Sequence, residues 1–194
     1  SREFGSGGRT IGKKVAEQLG IPCYDAEIIQ EMAKETGFAP DYVKEAGEYA
    51  PGGFLSNAFS NRMFGPTNED ILWERQYKVI TDLAAKGPCV IVGRCGDYVL
   101  RDRKDVLRIF VYAPKEWRLA YGKENNMLQA KDEKGIKDEI DKTDRNRAAY
   151  YNYYTQNRWG DAHNYDLAIN AALGRETCVK MILDAAAAKE KTLG

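Results

Sequence analysis

One stretch near the start of the chain limits its folding choices more than any other. Phe4-Gly5-Ser6-Gly7-Gly8-Arg9-Thr10 is a glycine-dense turn that runs straight into Ile11 to Leu19, where Ile11, Val15 and Leu19 recur at four-residue spacing. That spacing predicts an amphipathic helix, and Gly20 stands where a C-cap glycine belongs. Gly5, Gly7 and Gly8 carry no Cβ, so successive backbone N–H groups can turn inward around an anion. The helix start adds unpaired N–H groups and the positive end of its dipole. Together they predict a phosphate cradle built from Gly5, Ser6, Gly7, Gly8, Arg9 and Thr10.

Two familiar glycine patterns are not met. Gly-x-x-x-x-Gly-Lys-Ser/Thr fails because glycine, at position 8, stands where the lysine would be, with Arg9 one place later. The dinucleotide pattern fails because Thr10 replaces its third glycine. On the glycines alone, a turn with no ligand remains the alternative.

The 194 residues suffice for a single well-buried domain. Twenty-nine basic residues balance 29 acidic ones, which leaves no electrostatic footprint for nucleic acid or an anionic membrane. No apolar run approaches the ~20 residues of a membrane span, and nothing resembles a signal peptide. Cys23, Cys89, Cys95 and Cys178 are scattered and His163 is the single histidine, so neither zinc nor a disulfide framework is expected. Reduced thiols in a cytoplasmic protein are the expectation, with His163 an ordinary surface residue.

In chain order, Ile21 to Asp25 reads as a short strand and Ala26 to Lys34 as a helix, the opening of a parallel α/β sheet. Residues 37–68 are irregular and flecked with apolar side chains, with a helix over Ala39 to Tyr49; the segment is expected to be a substrate flap or a homodimer contact. Asn68 is placed to cap a helix reaching about Lys86. Cys89 to Val92 is a continuous apolar run suited to a covered central strand, ending at Gly93-Arg94-Cys95-Gly96-Asp97 on the carboxyl edge where ligands bind. Val106 to Tyr112 is a further strand, and Pro114 is expected to open a helix. From Lys115 to Arg158 the chain is charged and helical, interrupted near Gly122 and Gly135, as in a lid. There Asp144 pairs in spacing with Arg147, and Asp141 with Arg145. Such pairs are either surface ion bridges or a grip on sugar and phosphate. The tyrosines at 150, 151, 153 and 154 are expected to pack the lid onto the sheet. Tyr165 to Asn170 reads as the last strand and Glu176 to Ala188 as a closing helix.

These motifs, in this order, make nearly the whole chain resemble the cytidylate kinase-like family. The resemblance rests on the glycine loop, Ile-Pro-Cys-Tyr-Asp, Val-Ile-Val-Gly-Arg-Cys, Thr-Asp-Arg-Asn-Arg-Ala, Trp-Gly-Asp and Asn-Tyr-Asp-Leu-Ala-Ile-Asn. It implies a three-layer P-loop NTPase fold: a parallel central sheet, helices on both faces and a helical lid over 115–158. Where cytidylate kinases carry Gly-Ser-Gly-Lys-Gly-Thr, this chain keeps Gly5, Ser6, Gly7 and Thr10. By resemblance Asp25, Arg94, Asp144 and Arg147 bind the acceptor.

The implied activity is transfer of the γ-phosphoryl group of ATP, with Mg2+, to a nucleoside monophosphate or related small acceptor. Arg9 would hold the donor, Thr10 would help seat the metal, and Arg145 and Arg147 would close with the lid. The chain departs from the family pattern at Glu31, Cys95, Tyr121, Gly122 and Ile140, which replace expected charged groups and put the acceptor's identity in question. The alternatives are a nucleotide-binding regulator that has lost catalysis and a dinucleotide enzyme with Asp25 as its ribose-binding acid.

Overall fold

The computed structural model describes residues 1–46, 67–130 and 132–193. The helix expected from Ile11, Val15 and Leu19 forms as α1 (Gly8–Leu19), closed by Gly20 in the left-handed region at φ 65°. After it come β1 (Cys23–Tyr24), α2 (Ala26–Thr36) and α3 (Pro40–Ala46). The chain resumes with α4 (Asn68–Ala85), β2 (Val90–Ile91), α5 (Gly96–Val99) and β3 (Ile109–Tyr112). It ends with α6 (Lys115–Glu124), α7 (Glu133–Thr155), β4 (Leu167–Asn170) and α8 (Arg175–Lys191). The flap or dimer contact expected over 37–68 falls, from 47 to 66, outside the described residues.

The strands pair in parallel. Cys23 lies opposite Val90 and Tyr24 opposite Ile91, while β3 and β4 run from Ile109 opposite Leu167 to Tyr112 opposite Asn170. The first residues join β3: Arg2 bridges to Val111, and Glu3 N donates to Val111 O at 3.0 Å. Instead of one continuous ladder, the described residues form two parallel pairs and this bridge. The shortness of β1 and β2 has local causes. Pro22 has no N–H to offer a ladder before β1, Asp25 already stands at the N-cap position of α2, and Gly93 turns the chain away after β2 at φ 75°.

Helices cover both sides of these strands. Val90 packs with a cluster that includes Ile11, Val15, Ile169 and Val179 from α1, β4 and α8. Its neighbour Ile91 packs with Ile28, Met32, Val79 and Ile80 from α2 and α4. Consecutive strand residues point to opposite faces, so one short strand serves two cores.

Two local expectations are corrected. The cap of α4 is Thr67: its side chain accepts from Asp70 N while the Asp70 carboxylate accepts from Thr67 N, a capping box. Pro114 is the N-cap of α6, and the helix begins at Lys115. The interruption expected near Gly122 and Gly135 is the gap between α6 and α7, with each glycine just inside a helix end. Gly122 stays inside α6, where a Cβ would meet Leu128 at 2.9 Å, and Gly135 lies in the first turn of α7. That region also holds more apolar packing than its charge implies. Ile136 and Ile140 are buried with Leu119, Tyr150 and Tyr151 pack on Cys95, and Tyr154 stacks on Trp73 with centroids 4.4 Å apart. Tyr153 stays exposed. Among the described residues no helix is long and apolar enough to cross a membrane.

The corrected cap yields a test. Thr67→Ala is expected to cost about 1 kcal/mol and lower Tm by roughly 2–4 °C, whereas Asn68→Ala leaves Tm within about 1 °C. Thermal melts followed by circular dichroism distinguish the two positions.

Candidate functional site

The glycine turn folds back on the segment before it. Gly5 and Gly7 adopt φ 75° and 74°, in the left-handed region that favours glycine. A Cβ on Gly5 would stand 2.9 Å from the Arg118 carbonyl oxygen. Gly7 is the N-cap of α1 and no side chain caps that helix, so its first N–H groups face the turn with the positive dipole end behind them. Ser6 is fully buried, and its hydroxyl donates to Glu3 O at 2.9 Å. Its side chain shapes the loop and does not line the site.

The missing lysine has a steric reason. A Cβ on Gly8 would lie 2.7 Å from the Arg2 Cβ and 3.2 Å from the Val111 Cβ. The first turn of α1 is pressed so closely against the N-terminal segment and β3 that only glycine fits.

What holds the turn is a buried ionic cluster. Arg118 on α6 pairs with Asp144 on α7 and lies 3.4 Å from a Glu3 carboxylate oxygen. It also donates to Phe4 O at 3.2 Å. Asp144 in turn accepts from Phe4 N at 2.7 Å, so both backbone groups of Phe4 are held by one ion pair. Burial raises the pKa of the Glu3 carboxyl, while the Ala113 N–H and the Arg118 guanidinium act against that rise.

Beside this brace opens a cavity of about 630 Å³. Its lining includes Gly5, Gly7, Gly8, Arg9 and Thr10 of the glycine turn, Asp25 and Lys44, and Arg94, Arg147, Tyr150, Tyr151 and Trp159. Arg9 forms an ion pair with Asp25. The Thr10 hydroxyl is 3.0 Å from the Tyr121 hydroxyl, and that ring lies over Gly7. Arg147 stands 5.4 Å from the centre of the Phe4 ring, a cation–π distance.

Arg94 is set differently. It and Cys95 adopt φ 54° and 53° between β2 and α5, a conformation uncommon outside glycine. Gln76, fully buried on α4, donates to Arg94 O at 3.0 Å and holds this turn. The Arg94 Nη1 atom is buried and, among the described residues, has no hydrogen-bond partner. A buried guanidinium nitrogen without an acceptor at a cavity wall suits an anionic ligand group. Burial raises the Cys95 thiol pKa well above its usual range, so the residue at the family's aspartate position is a neutral group packed under Tyr150 and Tyr151.

Of the residues singled out in the sequence, Gly5, Gly7, Gly8, Arg9, Thr10, Asp25, Arg94 and Arg147 line the cavity. It does not gather three others. Ser6 is turned inward, Arg145 is exposed on α7 outside the cavity, and Asp144 is taken up by Arg118 and Phe4. The spacing expected to pair Asp141 and Asp144 along their own helix serves a cross-helix clasp, since Asp141 reaches Lys115 at 2.5 Å. Sequence reading missed Arg118, Glu3 and Gln76. A signal for Arg118 was present: Lys115 and Arg118 are spaced as Asp141 and Asp144 are, and both pairs span 26 residues. Nothing in the sequence marks Gln76 among the polar residues of α4.

The clasp makes a prediction. Arg118→Met leaves the Asp144 and Glu3 carboxylates enclosed without their cation and should cost about 3 kcal/mol, a fall of roughly 6–12 °C in Tm. Arg118→Lys should recover less than half of it, because an ammonium cannot serve three acceptors in a fork. A Tm within about 2 °C of the parent for both variants would show that the clasp is not what holds the loop.

No curated protein matches the chain. The crystal structure of an uncharacterized protein from Eubacterium ventriosum ATCC 27560 is similar, with 28% identity and a TM-score of 0.71 over 95% of this chain and 94% of that one. The model of the cytidylate kinase-like family matches residues 1–172, and the chain belongs to that family.

Proposed function

We propose that the protein is a phosphotransferase of P-loop type that moves the γ-phosphoryl group of ATP to a nucleoside monophosphate or a related small acceptor. The observation that carries this reading is the cavity itself, lined both by the glycine cradle at the start of α1 and by Arg94, whose buried Nη1 has no acceptor among the described residues. Family membership supports a nucleotide kinase-like role. The parallel strands flanked by helices support the fold type.

A polyphosphate suits the residues present. Uncapped N–H groups of α1 and the Arg9 side chain would hold it. For Mg2+ the available group is the Thr10 hydroxyl, which Tyr121 would have to release. Bound ATP with its metal would supply the transferable group and neutralise its oxygens. The protein's own part is positioning: Arg94 and Arg147 orient the acceptor's anionic end, Asp25 accepts a hydrogen bond from its neutral part, and the aromatic wall of Tyr150, Tyr151 and Trp159 limits water. In this reading Asp144 is a positioning residue acting through Phe4, and Arg145, exposed outside the cavity, takes no part.

A second reading also has an observation behind it. The loop has no lysine and Arg9 is engaged by Asp25, as suits a nucleotide-binding regulator without turnover.

The test is ADP release from ATP and Mg2+ across a panel of nucleoside monophosphates. Release that depends on one of them is the expected result. Arg147→Ala should then raise that acceptor's KM about tenfold while ATP's changes less than about twofold, the pattern of a group that touches only the acceptor. Binding of ATP with no turnover of any acceptor would favour the regulator.

A further inference from the structure

One ion pair joins the glycine turn to the residue that follows β1. Arg9 belongs to the first turn of α1, with its backbone in the cradle, yet its guanidinium is turned aside to Asp25, which follows β1 and opens α2. The two partners are unlike in freedom: the Asp25 side chain is 16% exposed and that of Arg9 54%. The Asp25 carboxylate is the more enclosed of the two, and the backbone N–H of that residue is tied to a Glu27 oxygen at 3.0 Å. The guanidinium is the partner able to move.

We propose that Asp25 is an internal counter-anion for Arg9, and that a polyphosphate at the start of α1 takes Arg9 away and frees Asp25 for the acceptor. This deepens the phosphotransferase reading and rests on it. An arginine fork matches a phosphate as well as a carboxylate, and the phosphate chain carries more charge. Once Arg9 has left, Asp25 is an enclosed carboxylate in need of a donor. An acceptor that offers a hydroxyl or amino hydrogen at that point, with its anionic end toward Arg94, meets the need. Linkage requires the reverse as well: an acceptor that engages Asp25 releases Arg9 and tightens polyphosphate binding by the same factor. The two substrates therefore bind with positive coupling, although the loop has no lysine to favour the donor beforehand.

The experiment is a double-mutant cycle read by calorimetry, with inorganic tripolyphosphate as the probe at fixed ionic strength. The proteins are the parent, Arg9→Ala, Asp25→Asn and the double variant. The Asp25 side chain makes no cap hydrogen bond to α2, so the change to asparagine leaves the helix start as it is. Asp25→Asn should bind the probe about tenfold more tightly than the parent, equivalent to about 1.4 kcal/mol. In the Arg9→Ala background the same change should alter affinity less than about twofold, because the arginine it liberates is gone. An equal gain in both backgrounds would show that Asp25 merely repels the anion through space, and would overturn the proposal while leaving the phosphate loop in place. No gain in either background would overturn it too. No binding by any of the four would remove the phosphate-loop reading and the proposal together.

Discussion

The site depends on one buried guanidinium. Arg118 joins α6 to α7 through Asp144 and, with it, holds both the N–H and the C=O of Phe4. A loop of glycines has little conformational preference of its own, and its entropy favours disorder. Fixing the residue just ahead of Gly5 sets the direction from which the turn enters α1. Glu3 on the strand side completes the cluster, so the charged helices are tied directly to the element that would receive a phosphate. Burial of this kind is expensive if any member is removed, which ties the geometry of the loop to the docking of α6 and α7.

The same packing accounts for the departure from the lysine-bearing loop. With α1 pressed onto the N-terminal segment, no Cβ fits at Gly8, and the cation nearest the cradle becomes Arg9 at the next position. An arginine there reaches sideways to Asp25. Where the lysine-bearing loop has an ammonium, this chain has a guanidinium paired with Asp25. In the proposed reading, exchange of that carboxylate for a phosphate would couple the two substrates.

Much of this was legible in the sequence because it is local. Four-residue spacing and the cap glycine gave α1 its limits, and the apolar runs at Cys89 to Val92 and Val106 to Tyr112 marked β2 and β3 to within a few residues. The cavity residues Arg9, Asp25, Arg94 and Arg147 were found through motif order. What escaped is non-local. Arg118 looks like one more charge on a polar helix until α7 is laid against it, and Asp144 has the spacing of a solvent-facing pair until Phe4 N is brought to it. The α4 cap was missed by one residue because Asn68 and Thr67 are both good caps, and the deciding Asp70 carboxylate three residues after Thr67 was not weighed. Strand lengths were overestimated since hydrophobicity extends beyond the residues that find ladder partners.

The central claim is that the turn from Phe4 to Thr10 is held open to an anion by the Arg118 and Asp144 clasp. The most direct measurement follows the backbone amide resonances of an isotopically labelled protein as a non-hydrolysable ATP analogue is added with Mg2+. The account predicts that Gly7, Gly8, Arg9 and Thr10 shift first and saturably, that Asp25 shifts with them as its partner leaves, and that Arg118→Met abolishes these changes. Saturable shifts confined to other parts of the chain, with the amides from Gly7 to Thr10 unmoved, would contradict it.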